Sequence, residues 1–402
     1  MKSGTHFQGD SPPRIAIVAP SLDILGGQGI QARDLADALQ DDGFEVLFLP
    51  VNPRFPRGLR WLRRIPMVRT AVNQLFYGIS LLRLRRVDVV HVFSASYWSF
   101  LLAPVPAVLA ARAFGKRVIL NYHSGEADDH LSRWGMRVHP FLRRVDEIVV
   151  PSVYLQRVFA SHGYTARVLR NIIDLSSFRF RERMPVAPRL LSCRNLESHY
   201  RVRDVLEAFA LLRQTVPEAT LEVAGYGSEA TRLRRWVAER GLPGVTFLGR
   251  VEPEAIPALY DRADIFLNAS VIDNQPISIL EAFAAGTAVV STPTGDIPWM
   301  LDEGRLGALV PPESPRALAE AVEALLASPE HTAAMTRKAR AAVQDFTWAG
   351  VRAGWMEAYG VEAPLDREAQ ASTKHAEKTS NNTSVEDRLE GKGGPNETPA
   401  AV

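Results

Sequence analysis

Ile15-Ala16-Ile17-Val18-Ala19 is a short, fully apolar run, and a glycine-rich turn, Leu25-Gly26-Gly27-Gln28-Gly29, follows it. A run without polar alternation is typical of a strand buried on both faces of a parallel sheet. After the turn, a helix carrying Ile30, Leu35, Ala38 and Leu39 is predicted. A strand, a turn and a helix in this order predict the first unit of a doubly wound α/β sheet.

The same alternation of strand and helix patterns continues along the chain in two series. In the first series, further strands are predicted at Val46-Leu47-Phe48, Val87 to Val92, Val118-Ile119-Leu120 and Ile148-Val149-Val150. In the second series, strands are predicted at Leu190-Leu191-Ser192, Leu221-Glu222-Val223, Val245-Thr246-Phe247-Leu248, Ile265-Phe266-Leu267 and Ala288-Val289-Val290. Two series of this kind predict two Rossmann-like domains with parallel sheets.

Composition limits the class of protein. The 402 residues are enough for two domains, and the 46% hydrophobic and 23% charged content is that of a soluble globular protein. The single cysteine, Cys193, has no disulfide partner, which favours a reducing compartment. Met1 to Arg14 lacks the apolar core of a signal peptide, and the apolar run Phe100 to Ala111 is shorter than the roughly 20 residues that span a bilayer. We therefore expect a cytoplasmic protein, either free or peripheral on the inner face of the membrane.

The segment from Asp273 to Gly286 carries the candidate site. Two carboxylates, Asp273 and Glu281, lie eight positions apart and flank a proline-marked turn that opens into an apolar helix. The free backbone N–H groups of a helix N-terminus favour an anion, and a carboxylate beside them can accept both hydroxyls of a ribose. Phosphate and sugar held side by side are what a nucleotide-sugar site requires.

Each acid also has a structural interpretation. Ser278 and Glu281 match a capping box, in which the glutamate turns back to the N-terminus of its own helix. Alternatively, the helix starts at Pro276, which places Glu281 in the second turn, free to project into a cleft. Asp273 alone is typical of a side chain that stabilises a turn before Asn and Pro.

Asp273 to Glu281, with the Ala284-Ala285-Gly286 exit, resembles the paired-acid motif of the family-four retaining glycosyltransferases with the GT-B fold. The family usually has Glu at the first position, so Asp273 shortens the reach by one methylene. The resemblance extends roughly from Arg14 to Gly360. It implies two Rossmann-like, doubly wound domains that face a cleft.

The resemblance also implies a domain organisation. We expect a disordered N-terminus at 1–13, an acceptor-side domain at 14–175 and a nucleotide-sugar-binding domain at 176–346. A helix at 347–361 is expected to cross back to the first domain. The polar tail at 362–402 has too few apolar residues to form a core and is predicted to be disordered.

Further site residues follow from matches to the family. Arg194 comes directly after a predicted strand and matches the first member of a basic pair that clamps the donor diphosphate. The usual Lys five residues later is replaced by His199, and Arg201, two positions on, either substitutes for it or lies on a solvated helix start. His123 matches a strand-end histidine that contacts the donor sugar, although alone it would more often be structural. His91, at the end of another strand, is assigned a structural role.

The glycines and the helix start complete the predicted site. Gly26 and Gly27 let the backbone approach a ligand, whereas Gly225 in a lone Gly-Tyr-Gly is a weaker signal that also fits a tight turn. The resemblance implies catalytic roles for His123, Asp273 and Glu281. The residues expected to bind the donor are Gly26, Gly27, Arg194, Arg201, Gly225, Gln275, Pro276, Ile277, Ser278, Ile279 and Glu281.

No cofactor or metal is expected. The sequence has no DxD arrangement and no His or Cys cluster with metal spacing, so catalysis is predicted to be metal-independent. The predicted enzyme is a retaining, hexosyltransferase-type glycosyltransferase that uses a donor of the UDP or GDP type and a glycan or lipid-linked acceptor. A departing phosphate oxygen would deprotonate the acceptor, and a double displacement through Asp273 is the alternative.

An arginine-rich stretch from Arg54 to Arg86 contains no acid. Aromatic and leucine side chains interleave with its arginines, which fits an amphipathic segment on an anionic membrane surface or a site for a phosphate-bearing lipid acceptor. It also fits a solvated helical surface. A nucleic-acid partner is not expected, because no recognition motif accompanies the charge.

Two other functions remain open from the sequence. A nucleotide-sugar epimerase or phosphorylase on the same fold would interconvert sugars without an acceptor. A degenerate binding module would bind a nucleotide and turn nothing over.

Overall fold

The computed structural model describes residues 12–21, 27–56, 58, 61 and 65–361. Within these residues the chain forms two six-stranded parallel sheets, each flanked by helices. The predicted GT-B class, with two Rossmann-like domains, is confirmed. The disorder predicted for 362–402 and for most of 1–13, and the site role predicted for Gly26, lie outside the described residues.

The first sheet has the strand order β2-β1-β3-β4-β5-β6. Its strands are β1 (Ile15–Ala19), β2 (Val46–Pro50), β3 (Val89–Ser94), β4 (Arg117–Tyr122), β5 (Glu147–Val150) and β6 (Arg167–Val168). The helices around it are α1 (Gly27–Asp41), α2 (Pro66–Ser80), α3 (Tyr97–Leu102), α4 (Pro104–Ala113), α5 (Ala127–Arg133), α6 (Gly135–Leu142) and α7 (Val153–Ser161). A 3₁₀ helix, Leu81–Arg86, follows α2.

The second sheet has the order β12-β11-β10-β7-β8-β9. Its strands are β7 (Arg189–Cys193), β8 (Thr220–Ala224), β9 (Val245–Gly249), β10 (Ile265–Asn268), β11 (Ala288–Ser291) and β12 (Ala308–Leu309). Its helices are α8 (Val202–Thr215), α9 (Ala230–Glu239), α10 (Ile256–Arg262), α11 (Ile277–Ala285), α12 (Ile297–Met300), α13 (Pro315–Ala327) and α14 (Pro329–Ala342).

The central predicted strands β1, β3, β10 and β11 form because their apolar runs are buried on both faces. All five residues of β1 are buried, and it pairs in parallel with β2 and β3. The prediction that a strand begins at Val87 is wrong, because the Val87 N–H donates to Leu84 O at the end of the 3₁₀ helix. The edge strands β6 and β12 have two residues each, too few to give a periodic signal in the sequence.

The last helix, α15 (Trp348–Tyr359), packs against the first sheet. Trp355 and Tyr359 lie in one buried cluster with Ile15 and Ile17 of β1. His91 of β3 is fully buried, with its Nδ1 2.8 Å from the Tyr359 hydroxyl. This contact gives His91 a structural role. No helix in the described part of the chain has the length and apolar character needed to cross a membrane.

Candidate active site

The candidate site is a cavity of about 580 Å³ between the two sheets. Loops that follow β1, β3 and β4 line one side, and loops that follow β7, β8 and β10 line the other. In doubly wound sheets, ligands bind beyond the carboxyl ends of the strands, where neighbouring connections diverge. Both sheets have such a point here, between β1 and β3 and between β7 and β10. The predicted residues that line the cavity are Gly27, His123, Arg194, Gly225, Asp273, Gln275, Pro276, Ile277, Ser278 and Glu281.

Helix α11 begins at Ile277, with Pro276 as its extended N-cap and no side-chain cap. The capping-box interpretation is therefore wrong, because Ser278 is the second residue of the helix rather than its cap. The alternative start at Pro276 is off by one residue. Glu281 is the fifth residue of α11 and lines the cavity.

Burial controls the protonation of Glu281. It raises the pKa of the carboxyl group to about 7, while the nearby Tyr260 hydroxyl and the Arg194 guanidinium oppose the shift. The Tyr260 hydroxyl donates to the Ser278 carbonyl oxygen at 2.9 Å. Near neutral pH, Glu281 can thus be a carboxylate that accepts two hydroxyl hydrogens, and it loses this capacity in acid.

Arg194 holds the centre of the second-sheet side. It follows β7, and its main-chain N–H donates to Ala224 O at 3.0 Å. Its guanidinium forms an ion pair with Asp273, donates to Ser278 Oγ at 2.9 Å and lies 4.3 Å from the centre of the Tyr200 ring. Arg194 Nε has no hydrogen-bond acceptor among the described residues. The group is positioned to receive an anion.

Asp273 both stabilises its turn and pairs with Arg194. Its Oδ1 accepts from the Asn274 N–H at 3.0 Å, and its Oδ2 accepts from the Ser270 hydroxyl at 3.0 Å. The main chain here is tightly enclosed, since a Cβ added at Gly125 would lie 2.6 Å from the Asp273 carbonyl oxygen. The two domains therefore meet at Gly125 and Asp273 without room for a side chain.

The N-terminus of α11 offers free main-chain donors. Across the described residues, the N–H groups of Ile277 and Ser278 donate to no protein acceptor. Ile279 N–H is already used, because it donates to Pro276 O at 3.1 Å, and Ile279 does not line the cavity. Two free donors at a helix N-terminus beside Arg194 form an anion site.

His123 comes directly after β4, and its main-chain N–H donates to Ser94 O at 3.2 Å. Its ring stacks on Phe93 with centroids 5.2 Å apart. Burial lowers the pKa of His123 to about 3, so the imidazole is neutral at physiological pH. Its Nε2 has no partner within the described residues. A neutral ring can orient a sugar hydroxyl but cannot supply a positive charge.

The structure does not bring Arg201 to the cavity. Arg201 has a left-handed backbone conformation (φ 50°) at the start of α8, and its side chain pairs with Asp204 at 2.9 Å and Glu313 at 3.0 Å. This arrangement does not support the prediction that Arg201 replaces the missing Lys, which stays a prediction. His199 and Tyr200 line the cavity instead.

Gln275 lines the cavity, but its side chain connects the two domains. Its Nε2 donates to Pro151 O at 2.7 Å, and its Oε1 accepts from Asn171 N–H at 2.9 Å. The prediction that Gln275 binds the donor stays a prediction, and its side-chain groups are already paired within the protein. Gln275 positions the segment that leads into α11.

The two described site glycines serve close approaches of the main chain. Gly225 has φ 145°, and a Cβ there would lie 1.9 Å from the Arg194 carbonyl oxygen. It fixes the loop that carries Arg194. A Cβ at Gly27 would lie 3.6 Å from Ile277 Cδ1, so the start of α1 sits directly opposite the start of α11.

Tyr200, Asn171 and Gly125 were not identified from the sequence as site residues. Tyr200 adjoins the replaced Lys position and could have been found there. Asn171 and Gly125 act through contacts that depend on how the two domains meet, and no local pattern marks them. In the described ranges, no group of three or more His, Cys, Asp or Glu side chains could hold a metal ion.

Comparisons with known proteins agree with this arrangement. The family model described as Glycosyltransferase Family 4 matches residues 25–177, and the model described as Glycosyl transferases group 1 matches 179–342. Glycogen synthase of Mycobacterium tuberculosis is 30% identical over 308 residues, which cover 71% of this chain and 71% of that protein. Phosphatidyl-myo-inositol mannosyltransferase of Mycolicibacterium smegmatis is 25% identical over 368 residues, covering 86% and 93%.

Solved structures share the fold. HepE of Anabaena, in complex with UDP-glucose, superimposes with a TM-score of 0.70 at 18% identity, covering 86% of this chain and 99% of that one. Sucrose-phosphate synthase of Thermosynechococcus elongatus has a TM-score of 0.67 at 19% identity, covering 90% and 100%. The chain belongs to the family-four glycosyltransferases with the GT-B fold.

Proposed function

We propose that the protein is a retaining, metal-independent glycosyltransferase that moves a hexosyl group from a nucleoside diphosphate to a hydroxyl of a glycan or lipid-linked acceptor. One observation carries the proposal. Glu281, Arg194 and the free N–H groups of Ile277 and Ser278 converge on one cavity between the sheets. This set combines an acceptor for a diol with donors for a diphosphate.

The donor would bind along the second-sheet side. Glu281 accepts both hydroxyls of the ribose, while Arg194 and the N-terminus of α11 receive the phosphates. To bind the diphosphate, Arg194 would redirect part of its guanidinium from Asp273 and Ser278; its Nε is buried and has no acceptor among the described residues. The UDP and UDP-glucose bound to HepE support a donor of the UDP or GDP type.

The transfer would proceed on one face of the sugar. The bond between the anomeric carbon and the diphosphate breaks, the acceptor oxygen bonds to the same face, and its proton passes to the departing phosphate oxygen. Arg194 and the helix N-terminus stabilise the charge that develops on the diphosphate, which is how fixed donors lower such barriers. Asp273 is a poor nucleophile for a double displacement, because Arg194, Ser270 and Asn274 already donate to its carboxylate.

Two other residues would position the transferred sugar. His123, held neutral by burial, lines the cavity, and its buried Nε2, which has no partner among the described residues, would pair with a sugar hydroxyl. The tight approach of Gly125 to Asp273 sets the distance between the first domain and the donor. The acceptor would enter from the first-domain side. The lipid named in the mannosyltransferase relative and the glycan named in the glycogen synthase relative support the two acceptor classes.

A panel of UDP-, GDP- and ADP-sugars tests the proposal through ligand-induced thermal stabilisation. One class of donor should raise the melting temperature of the wild-type protein, with or without EDTA. Glu281→Ala and Arg194→Ala should abolish the response. Arg201→Ala, which removes a cation outside the cavity, is the matched control and should keep it. Wild-type responses from the first two variants would refute the site, and sugar interconversion without acceptor would instead indicate an epimerase.

A further inference from the structure

The first domain carries an unusual distribution of charge. Residues 46–125 contain twelve Arg and Lys and a single acid, Asp88. The remainder of the chain contains more acids than bases, 44 against 35, so the basic character is confined to this segment. A field of one sign on one part of a nearly neutral molecule favours a polyanionic surface as its partner.

The same segment exposes an apolar face. Helix α2 presents Met67, Ala71, Leu75 and Ile79 to solvent, and Leu82 continues the row into the following 3₁₀ helix. We name these five residues the α2 stripe. Their spacing of four, four, four and three residues puts them on one side of the helix. Met67 is 83% exposed, Leu75 62%, Ile79 55% and Leu82 51%. Large apolar side chains aligned on the outside of a helix mark an interaction site.

The opposite face of α2 is anchored in the domain. Tyr77 is fully buried, and its hydroxyl donates to Ala103 O at 2.8 Å. Asn73 Nδ2 donates to Val51 O at 2.9 Å, and Val51 N–H donates to Ala19 O, next to the cavity-lining Pro20. The α2 stripe is thus an outward face of a fixed helix at the edge of the cleft.

We propose that the α2 stripe docks the enzyme onto an anionic lipid bilayer, with the apolar side chains in the acyl boundary and the surrounding arginines on lipid phosphates. Arg69 in the first turn of α2, and Arg83 and Arg86 in the 3₁₀ helix that follows it, are exposed and form no ion pair within the described residues. Trp61, five residues before α2, is 60% exposed and suits the interface between headgroups and acyl chains. An amphipathic helix with basic flanks lies in the plane of a membrane surface.

Charge argues against a second copy of this chain as the occupant. In a symmetric dimer the same surface lies on both subunits, so the basic segment of one would face that of the other. An anionic bilayer instead supplies both an apolar phase and negative charge. Docking would place the cleft beside the membrane. The proposal stands independently of which donor the cavity binds.

The experiment measures binding of the full chain to vesicles of phosphatidylcholine with and without phosphatidylglycerol. The wild-type protein should cosediment with the anionic vesicles and weakly with the neutral ones, and high salt should reduce binding. Arg69→Gln, Arg83→Gln and Arg86→Gln together should weaken binding roughly a hundredfold at low salt. Arg235→Gln, Arg316→Gln and Lys338→Gln together remove the same charge from the second domain and should leave binding unchanged.

The apolar contact is tested separately. Leu75→Ser with Ile79→Ser should reduce anionic-vesicle binding roughly tenfold or more while preserving the melting temperature, because both side chains are exposed. An environment-sensitive dye on Leu75→Cys should shift its emission to the blue on binding. Cys193, the sole native cysteine, gives little background labelling because burial raises the pKa of its thiol to about 12.

Three results would overturn the proposal. The first is an equal loss of vesicle binding in the two triple arginine and lysine variants. The second is vesicle-bound protein whose dye at position 75 shows no emission shift. The third is a protein that does not bind vesicles but dimerises with rising concentration, in a way that requires Leu75 and Ile79. The last result would assign the stripe to a second copy of the chain. Donor-induced thermal stabilisation, measured on the same variants, distinguishes failure of docking from failure of the proposed enzyme site.

Discussion

The two sides of the cleft present different chemical groups. The second-sheet side presents the Arg194–Asp273 ion pair, Glu281 with its raised pKa and the free N-terminus of α11. The first-sheet side presents the neutral His123 and the main chain at Gly125. Its charged cavity-lining residue among those described is the exposed Glu126.

The difference separates two tasks. Groups that must meet phosphates and a ribose need fixed charges and donors, and those are held in place before any ligand arrives. The first-sheet side supplies shape through close main-chain contacts, and the first domain carries its charge outside the cleft. An acceptor can therefore vary in chemistry while the donor site stays the same. Variants that change one side of the cleft and leave the other intact can test this division between donor binding and acceptor positioning.

The largest expected effect comes from Arg194→Ala. It leaves Asp273, whose side chain is 11% exposed, without its cationic partner, and we expect the free energy of unfolding to fall by roughly 3 kcal/mol. Donor binding should be lost as well. Combining it with Asp273→Asn should restore much of the stability but no donor binding. Urea denaturation and donor titration measure the two quantities.

The matched control for Arg194→Ala is Arg117→Ala in the first domain. Arg117 pairs with Glu147 at 2.8 Å, with side chains 16% and 15% exposed, and it lies at the amino end of β4, whereas the cavity-lining residues follow the carboxyl end of that strand. Arg117→Ala should lower the free energy of unfolding and leave donor binding unchanged. Equal loss of donor binding in both variants would mean that the effect of Arg194 is general destabilisation.

The pH dependence of the free energy of unfolding tests the raised pKa of Glu281. Its folded pKa of about 7 lies above the ordinary 4.5, so the folded protein keeps a proton that the unfolded chain releases. Glu281 by itself should therefore make the wild-type protein less stable as pH rises from 4.5 through 7, by at most about 3 kcal/mol, whereas the buried His123, whose pKa is lowered to about 3, contributes the opposite trend in wild type and variant alike. Glu281→Gln has no titratable group at this position, so its free energy of unfolding should increase relative to that of the wild type over that pH range. Asp34, whose pKa burial raises to about 6, titrates in both proteins, so its effect on stability cancels when the two pH profiles are compared.

Donor binding should have the opposite pH dependence. The ionised Glu281 accepts the ribose hydroxyls, so affinity should rise as pH increases through 7. Glu281→Gln should bind weakly at every pH. A pH-independent donor affinity in the wild-type protein would contradict the role of Glu281.

Gly125→Ala tests how closely the first domain must approach. The added Cβ would meet the Asp273 carbonyl oxygen at 2.6 Å, so the two sides must separate by a few tenths of an ångström or more. We expect roughly a tenfold loss of kcat, since small displacements at reacting centres are costly, with donor affinity nearly unchanged. Steady-state kinetics and donor titration measure the two effects. Gly78→Ala, which adds a Cβ in open space at a glycine without a positive φ, controls for loss of a glycine.

The sequence predicts the parts of the molecule that depend on local patterns. Continuous apolar runs such as β1 identify the buried strands, and the segment around Glu281 identifies the helix and its start to within one residue. It does not predict what depends on domain contacts. Gln275 lies 104 residues from Asn171 in sequence, so nothing near it indicates that its side chain is occupied. Likewise, the apolar period of α2 does not tell which face is outward.

The smallest expected effect is that of Arg201→Ala, where sequence and structure disagree most directly. Position in the chain suggests a substitute phosphate ligand, but the side chain pairs with the buried Asp204 in the first turn of α8 and with the exposed Glu313. Asp204 is buried, but Arg201 is 35% and Glu313 60% exposed, so water screens these ion pairs, and their loss should cost roughly 1 to 2 kcal/mol, less than loss of the Arg194–Asp273 pair. We expect a small loss of stability and unchanged donor affinity, by urea denaturation and donor titration. A loss of affinity as large as that of Arg194→Ala would mean that the loop from Arg194 to α8 rearranges around the donor, and that this side of the cleft is not preformed.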